Sequence, residues 1–189
     1  MPNYRRNFVP EGTFFFTLVT EKRAPIFRSQ DARTILGNAF RDCQRDWSFE
    51  IKALVLLPDH LHTIWALPPG DARYPARWSW IKAEFTRSWL AAGGAEQFVS
   101  RGKRRERRRG IWQRRYCEHT IETEVEFFIR FDYTHYNPVK HGYVRCLRDR
   151  HPSTLHRWAD AGVYQTNWAC GHREWAPDFR SVEDDSGEP

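Results

Sequence analysis

Residues 49–66, FEIKALVLLPDHLHTIWA, constrain the fold more than any other stretch of this chain. Two runs of aliphatic, β-branched and aromatic residues are separated only by Pro58-Asp59, a dipeptide suited to a tight turn. That spacing predicts a β-hairpin, strand 49–57 followed by strand 60–66, and hence an antiparallel sheet. Residues 13–20, TFFFTLVT, follow Gly12 and precede the charged Glu21-Lys22-Arg23, and they predict a further strand.

Helical periods alternate with these strands. Over 31–47 the residues Ile35, Leu36, Ala39, Phe40 and Cys43 recur at helical spacing, with Asp31 as the expected N-cap. Over about 77–92 the stripe is Trp78, Ile81, Phe85, Trp89 and Leu90, closed by Gly93-Gly94. A short strand is expected around Arg115–Ile121. Thr123 with Glu126 predicts a capping box opening a helix to about Tyr136, with Val125, Phe128 and Ile129 inward and Pro138 as its stop. The order βαββαβ followed by a helix predicts an α+β fold. Its form is a ferredoxin-like, split βαβ (RRM-like) antiparallel sheet with helices on one face.

The 40% hydrophobic content suffices for a core, and no apolar run is long enough for a membrane span. The N-terminus MPNYRRNFVP lacks the apolar stretch of a signal peptide. Cys43, Cys117, Cys146 and Cys170 form no CxxC pair, so a zinc ribbon is disfavoured and reduced thiols in the cytoplasm are expected. The net charge of +6 averages over unlike parts. Residues 101–115, RGKRRERRRGIWQRR, carry +8, whereas 178–189 carry −4. A basic body with nine Trp points to a polyanionic partner, nucleic acid above all. The arginine run 101–110 is expected to be a flexible loop that orders on DNA, and the acidic tail is expected to be disordered and to compete for the basic groove.

Two constellations bear chemistry. His60 and His62 sit two apart on a strand and so share a face, where two neutral imidazoles can offer nitrogens to one divalent cation. Taken alone, such a pair reads as two hydrogen-bonded histidines. Tyr133 and Asn137 are i and i+4 on the last helix, again on one face. A phenol with a nearby cation can act as a nucleophile, and an amide oxygen suits a magnesium or manganese shell. His135, two residues from Tyr133, faces away and receives no catalytic role.

The segments YRRNFVPEGTFFFTLVT, LLPDHLHTIWALPPGD, WSWIKAEFTRSW, IWQRRYCEHTIETEVEF and DYTHYNPVKHGYV occur in this order over residues 4–144. The set resembles the HUH endonucleases, and more narrowly the REP-associated tyrosine transposases of bacteria. The resemblance implies an HUH endonuclease, transposase-like fold with His60-Leu61-His62 as its motif and Tyr133 as the nucleophile. His60, His62 and Asn137 would hold one Mg²⁺ or Mn²⁺. Related single-tyrosine transposases use Gln where this chain has Asn137. The implied activity is that of a single-stranded DNA endonuclease and strand transferase, working through a 5′-phosphotyrosine on REP-type palindromic hairpins. Expected DNA-binding residues are Tyr4, Arg5, Arg6, Arg104, Arg105, Arg107, Arg108, Arg109, Arg114, Arg115 and Lys140.

The expected organisation is a catalytic domain 1–144, an extension 145–177 and a tail 178–189. The expected state is a monomer, with a dimer as the alternative, without membrane association and in the bacterial cytoplasm near the nucleoid. Two other functions compete: a non-catalytic ferredoxin-like nucleic-acid binder, and a replication-initiator or relaxase-type HUH nuclease.

Overall fold

The computed structural model describes residues 12–106, 108–146, 149, 152–165, 167–168, 170 and 178–183. Its centre is a four-stranded antiparallel sheet in the order β2-β3-β1-β4, with β1 Thr13–Val19, β2 Glu50–Leu56, β3 His60–Ala66 and β4 Cys117–Ile121. This is the split βαβ arrangement read from the sequence, in which β3 enters between β1 and β2, except that helices cover both faces of the sheet and not one.

Alternation along each strand divides the sheet into two faces. Phe14, Phe16 and Leu18 of β1, with Leu61 and Trp65 of β3, pack under α1 (Gln30–Asp46) and α2 (Tyr74–Ala91). Phe15 and Ile64 lie on the opposite face with Ala53, beneath the helix that follows β4. The first face is a nearly continuous aromatic core, where Trp65 and Trp78 stack with ring centroids 4.1 Å apart. Within it, Arg77 is 1% exposed and donates to both carboxylate oxygens of Asp71 and to the Ser48 carbonyl. Removing one partner of such a pair strands the other charge. Arg77→Ala is therefore expected to lower unfolding free energy by about 3 kcal/mol, measured by urea titration.

Several local expectations are corrected. The N-cap of α1 is Ser29, whose Oγ accepts from the Ala32 N–H, and Asp31 falls inside the first turn. The arginine run holds a short helix, α3 (Arg101–Arg105), capped by Ser100. Lys103 and Arg108 tie that segment to Glu21 at 2.9 and 3.7 Å. The capping box of α4 (Glu124–Lys140) forms as read, with Thr123 Oγ1 accepting from the Glu126 N–H. Pro138 does not stop this helix, which runs one turn further to Lys140. A proline so near the end removes only one intrahelical bond. The inward face of α4 is also displaced from the one expected. Val125 is 71% and Phe128 51% exposed, whereas Phe131, Tyr133, Thr134, Tyr136 and Asn137 are buried.

The chain beyond α4 packs back on the sheet. Leu56 N–H donates to Pro152 O, and Thr154 N–H donates to Leu54 O, so residues 152–154 line the outer edge of β2. His135 points into this layer and hydrogen-bonds with the Tyr164 hydroxyl and Thr154 Oγ1. Burial pushes its imidazole down to about 3, so it is held neutral. After α5 (Leu155–Asp160), the chain brings Cys170 against Cys146, side by side as a candidate disulfide pair. The fold-back brings together two residues 24 apart in sequence. Residues 178–183, read as the start of a disordered tail, instead carry α6 (Arg180–Glu183). Phe179 and Val182, three apart, supply the apolar contact that holds this charged segment on α4. The remainder of the tail, 184–189, lies outside the described residues.

Candidate active site

β3 starts immediately after the Pro58-Asp59 turn, and its alternation turns His60 and His62 to the α4 face. Their rings are nearly perpendicular, with centroids 5.1 Å apart, and both residues are buried. Each ring is tethered through Nδ1. His62 Nδ1 lies 2.9 Å from Oγ1 of Thr17, its register partner on β1. His60 Nδ1 lies 2.6 Å from Asp59 Oδ1, and Asp59 Oδ2 accepts from Arg23 Nε at 2.7 Å. Burial pushes the Asp59 carboxyl upward, but the hydrogen bonds and charges of His60 and Arg23 outweigh it and hold the carboxyl below its usual range. Tethering Nδ1 directs Nε2 of each imidazole away from its anchor, the arrangement by which histidines are oriented for metal binding. Arg23 reaches Asp59 from a strained turn, since Lys22 and Arg23 both adopt left-handed backbone (φ 54° and 52°).

The helix α4 supplies the other half. The Tyr133 ring centroid lies 5.4 Å from that of His62 and 6.1 Å from that of Phe15. Asn137, one turn on, donates from Nδ2 to the Tyr133 carbonyl. Its Oδ1 is buried and has no hydrogen-bond partner among the described residues. An orphaned buried carbonyl oxygen one helical turn from Tyr133 is of the donor type that suits a hard divalent cation. No group of three His, Cys, Asp or Glu side chains among the described residues is placed to hold a metal, so the amide oxygen would be essential to the set. Tyr133 of α4 thus lies against His62, His62 lies against His60, and Asn137 follows Tyr133 by one turn of the same helix.

Further neighbours surround the site, among them Lys140, expected only as a DNA-binding residue. Lys140 Nζ sits 3.3 Å from the Tyr133 hydroxyl oxygen and 3.0 Å from Glu183 Oε1. The His141 ring lies 5.4 Å from that of His60. Phe179 packs edge-on against Tyr133 at 5.4 Å and covers it, and Tyr133 is 0% exposed. Asp59, adjacent to His60 in the sequence, could have been found. Thr17 required the strand register.

The arginine segment is anchored at the same end of the sheet. Gln113 N–H donates to Val19 O, and Val19 is the register partner of His60. Arg108, Arg109 and Arg114, with Lys82 and Arg87 of α2, line an open cleft of about 500 Å³ beside Trp112. Arg104 and Arg109 both pair with Glu96, at 3.3 and 2.6 Å, while Arg105 and Arg115 are exposed. Tyr4, Arg5, Arg6 and Arg107 lie outside the described residues.

The profile of the family described as Transposase IS200 like matches residues 9–137, from before β1 through Asn137. The chain belongs to this family. Among the relatives of this IS200-like transposase, the REP-associated tyrosine transposase of Escherichia coli K12 is 37% identical over 170 residues, 89% of this chain and 92% of the relative. A Haemophilus influenzae relative of that name is 36% identical over 168 residues, 89% and 93% of the two chains. The transposase also superposes on a solved structure of a REP-associated tyrosine transposase bound to a REP hairpin. The TM-score is 0.78 at 34% identity, covering 100% of this chain and 98% of the other. Among the described residues, no helix of the transposase is long and apolar enough to cross a membrane.

Proposed function

We propose that this transposase is a metal-dependent single-strand DNA endonuclease and strand transferase acting on REP-type palindromic hairpins. One observation carries the reading: Tyr133 of α4 packs against His62 of β3, beside His60, and all three are buried together. The relatives' name and the solved hairpin complex support the substrate class. Tyr133 Oη attacks the scissile phosphate in line, the P–O3′ bond breaks, and a 5′-phosphotyrosine and a free 3′-hydroxyl result. A 3′-hydroxyl of another DNA end reverses the step, so one phosphodiester replaces another without ATP. A bound Mg²⁺ or Mn²⁺ would withdraw charge from a non-bridging phosphate oxygen. His60, His62 and the Asn137 carbonyl would hold it, while Asp59 and Thr17 keep the imidazoles oriented. The cations beside Trp112 would neutralise phosphates of the stem, which makes binding salt-dependent. All of the reactive side chains come from one chain, so a monomer suffices.

Incubation of labelled single-stranded hairpins with the protein and Mn²⁺ tests the reading. A denaturation-resistant protein–DNA adduct is expected. A hairpin retarded on a native gel with no adduct would leave only a binding module.

The C-terminal segment bears on access. Deleting residues 178–189 removes Phe179 from Tyr133, Glu183 from Lys140 and a net charge of −4. Hairpin affinity at low salt should then tighten by roughly three- to ten-fold, read by fluorescence anisotropy. Unchanged affinity would dismiss competition by the tail.

A further inference from the structure

Lys140 is expected from the sequence among the DNA-binding residues, yet its ammonium is directed at the phenol. Nζ lies 3.3 Å from Tyr133 Oη and 4.9 Å from the centroid of the ring. The two residues are seven apart, two turns of helix, and so project from one face of α4. Their meeting depends on the continuation of α4 through Pro138. Had the helix stopped at Tyr136, Lys140 would not lie on the turn above Tyr133.

We infer that Lys140 is a catalytic residue of strand transfer, a fixed cation that pairs with the Tyr133 oxygen while that oxygen carries negative charge. The inference rests on the assignment of Tyr133 as nucleophile made above. In cleavage, the Oη–P bond forms as P–O3′ breaks; the phenol proton is lost and the departing 3′ oxygen gains one, so protons balance. In rejoining, a 3′-hydroxyl forms P–O3′, gives up its proton, and the phenolate leaves and regains one. Both directions pass through a transition state with partial negative charge on the same phenolic oxygen. Tyr133 is surrounded by Phe15, His62 and Phe179, away from bulk water, where a neighbouring charge acts with little screening. A donor already aimed at the atom on which charge develops needs no reorganisation. Glu183, 3.0 Å from the same ammonium, shares it in this structure and so competes with the phenolate for it.

A phosphate contact and a catalytic cation have different kinetic signatures. The full chain, Lys140→Gln and Lys140→Arg are compared on a labelled single-stranded hairpin with Mn²⁺, recording kcat and KM of cleavage, Kd for the uncleaved hairpin, and thermal melting. Lys140→Gln is expected to lower kcat about 100-fold, the scale for loss of one such donor, with Kd and melting temperature nearly unchanged. Lys140→Arg, which keeps the charge, should recover most of that loss. An unchanged kcat overturns the proposal, and so does a loss confined to KM and Kd. Equal loss in the Arg and Gln variants, or loss accompanied by a lowered melting temperature, also overturns it. The Tyr133→Phe control separates the two assignments. If that variant still forms the adduct, the nucleophile reading fails and this one falls with it. If it forms none while Lys140→Gln cuts at full speed, only the role of Lys140 is refuted.

Discussion

Tyr133→Phe is expected to abolish both strand cleavage and the covalent protein–DNA adduct, a loss of roughly 10⁴-fold or more, as for removal of a catalytic nucleophile. The substitution deletes one oxygen atom. The ring keeps its contacts with Phe15, His62 and Phe179, so the packing of α4 on the sheet should survive. The cleft beside Trp112 that carries Arg108, Arg109 and Arg114 does not include Tyr133, so hairpin affinity should stay within about two-fold. The measurement is a denaturing gel of labelled hairpin with Mn²⁺, alongside an anisotropy titration of the uncleaved hairpin. Cleavage at the wild-type rate would remove Tyr133 from the chemistry. Loss of hairpin binding would show that the change had reached the fold.

His60→Ala and His62→Ala should each eliminate metal-supported cleavage, by about 10²-fold or more, because neither remaining imidazole can hold the cation with Asn137 alone. The two variants leave different stranded groups. Without His60, the Asp59 carboxylate keeps Arg23 but loses its second partner. Without His62, Thr17 Oγ1 loses its hydrogen bond in the middle of β1. Asp59→Asn is a milder probe of the same site, expected to weaken Mn²⁺ binding by about ten- to 100-fold. Electron paramagnetic resonance of added Mn²⁺ reads that affinity without turnover. Cleavage that persists in EDTA would count against the cation altogether.

The hairpin, the strand order and the pairing of His60 with His62 were legible because they depend on short-range signals. Alternation with period two and a Pro-Asp turn determine which side chains share a face, whatever the rest of the molecule does. The Thr123 cap was legible for the same reason. The phase of α4 was not. Val125 and Phe128 are apolar and helically spaced with Ile129, but the helix docks through Phe131, Tyr133 and Thr134, and only the sheet beneath decides that. Proline as a stop signal failed at Pro138, where a single missing hydrogen bond is outweighed by the contacts of the final turn. Thr17 became visible only through the register of β1 with β3. Lys140 required both the continued helix and the position of Tyr133. Phe179, at the start of the acidic segment, offered no local sign that it would lie on Tyr133.

The backbone bonds from Pro152 and Thr154 to Leu56 and Leu54 have a further consequence. β2 is the last strand on its side of the sheet, and an open strand border is a template for pairing with other chains. Residues 152–154 occupy that border and leave it unavailable as a template. A fragment ending at residue 144 would carry every reactive side chain and still present a bare apolar border at Leu54 and Leu56. Such a fragment should gather into oligomers by strand addition, whereas the full chain, with that border covered, should not.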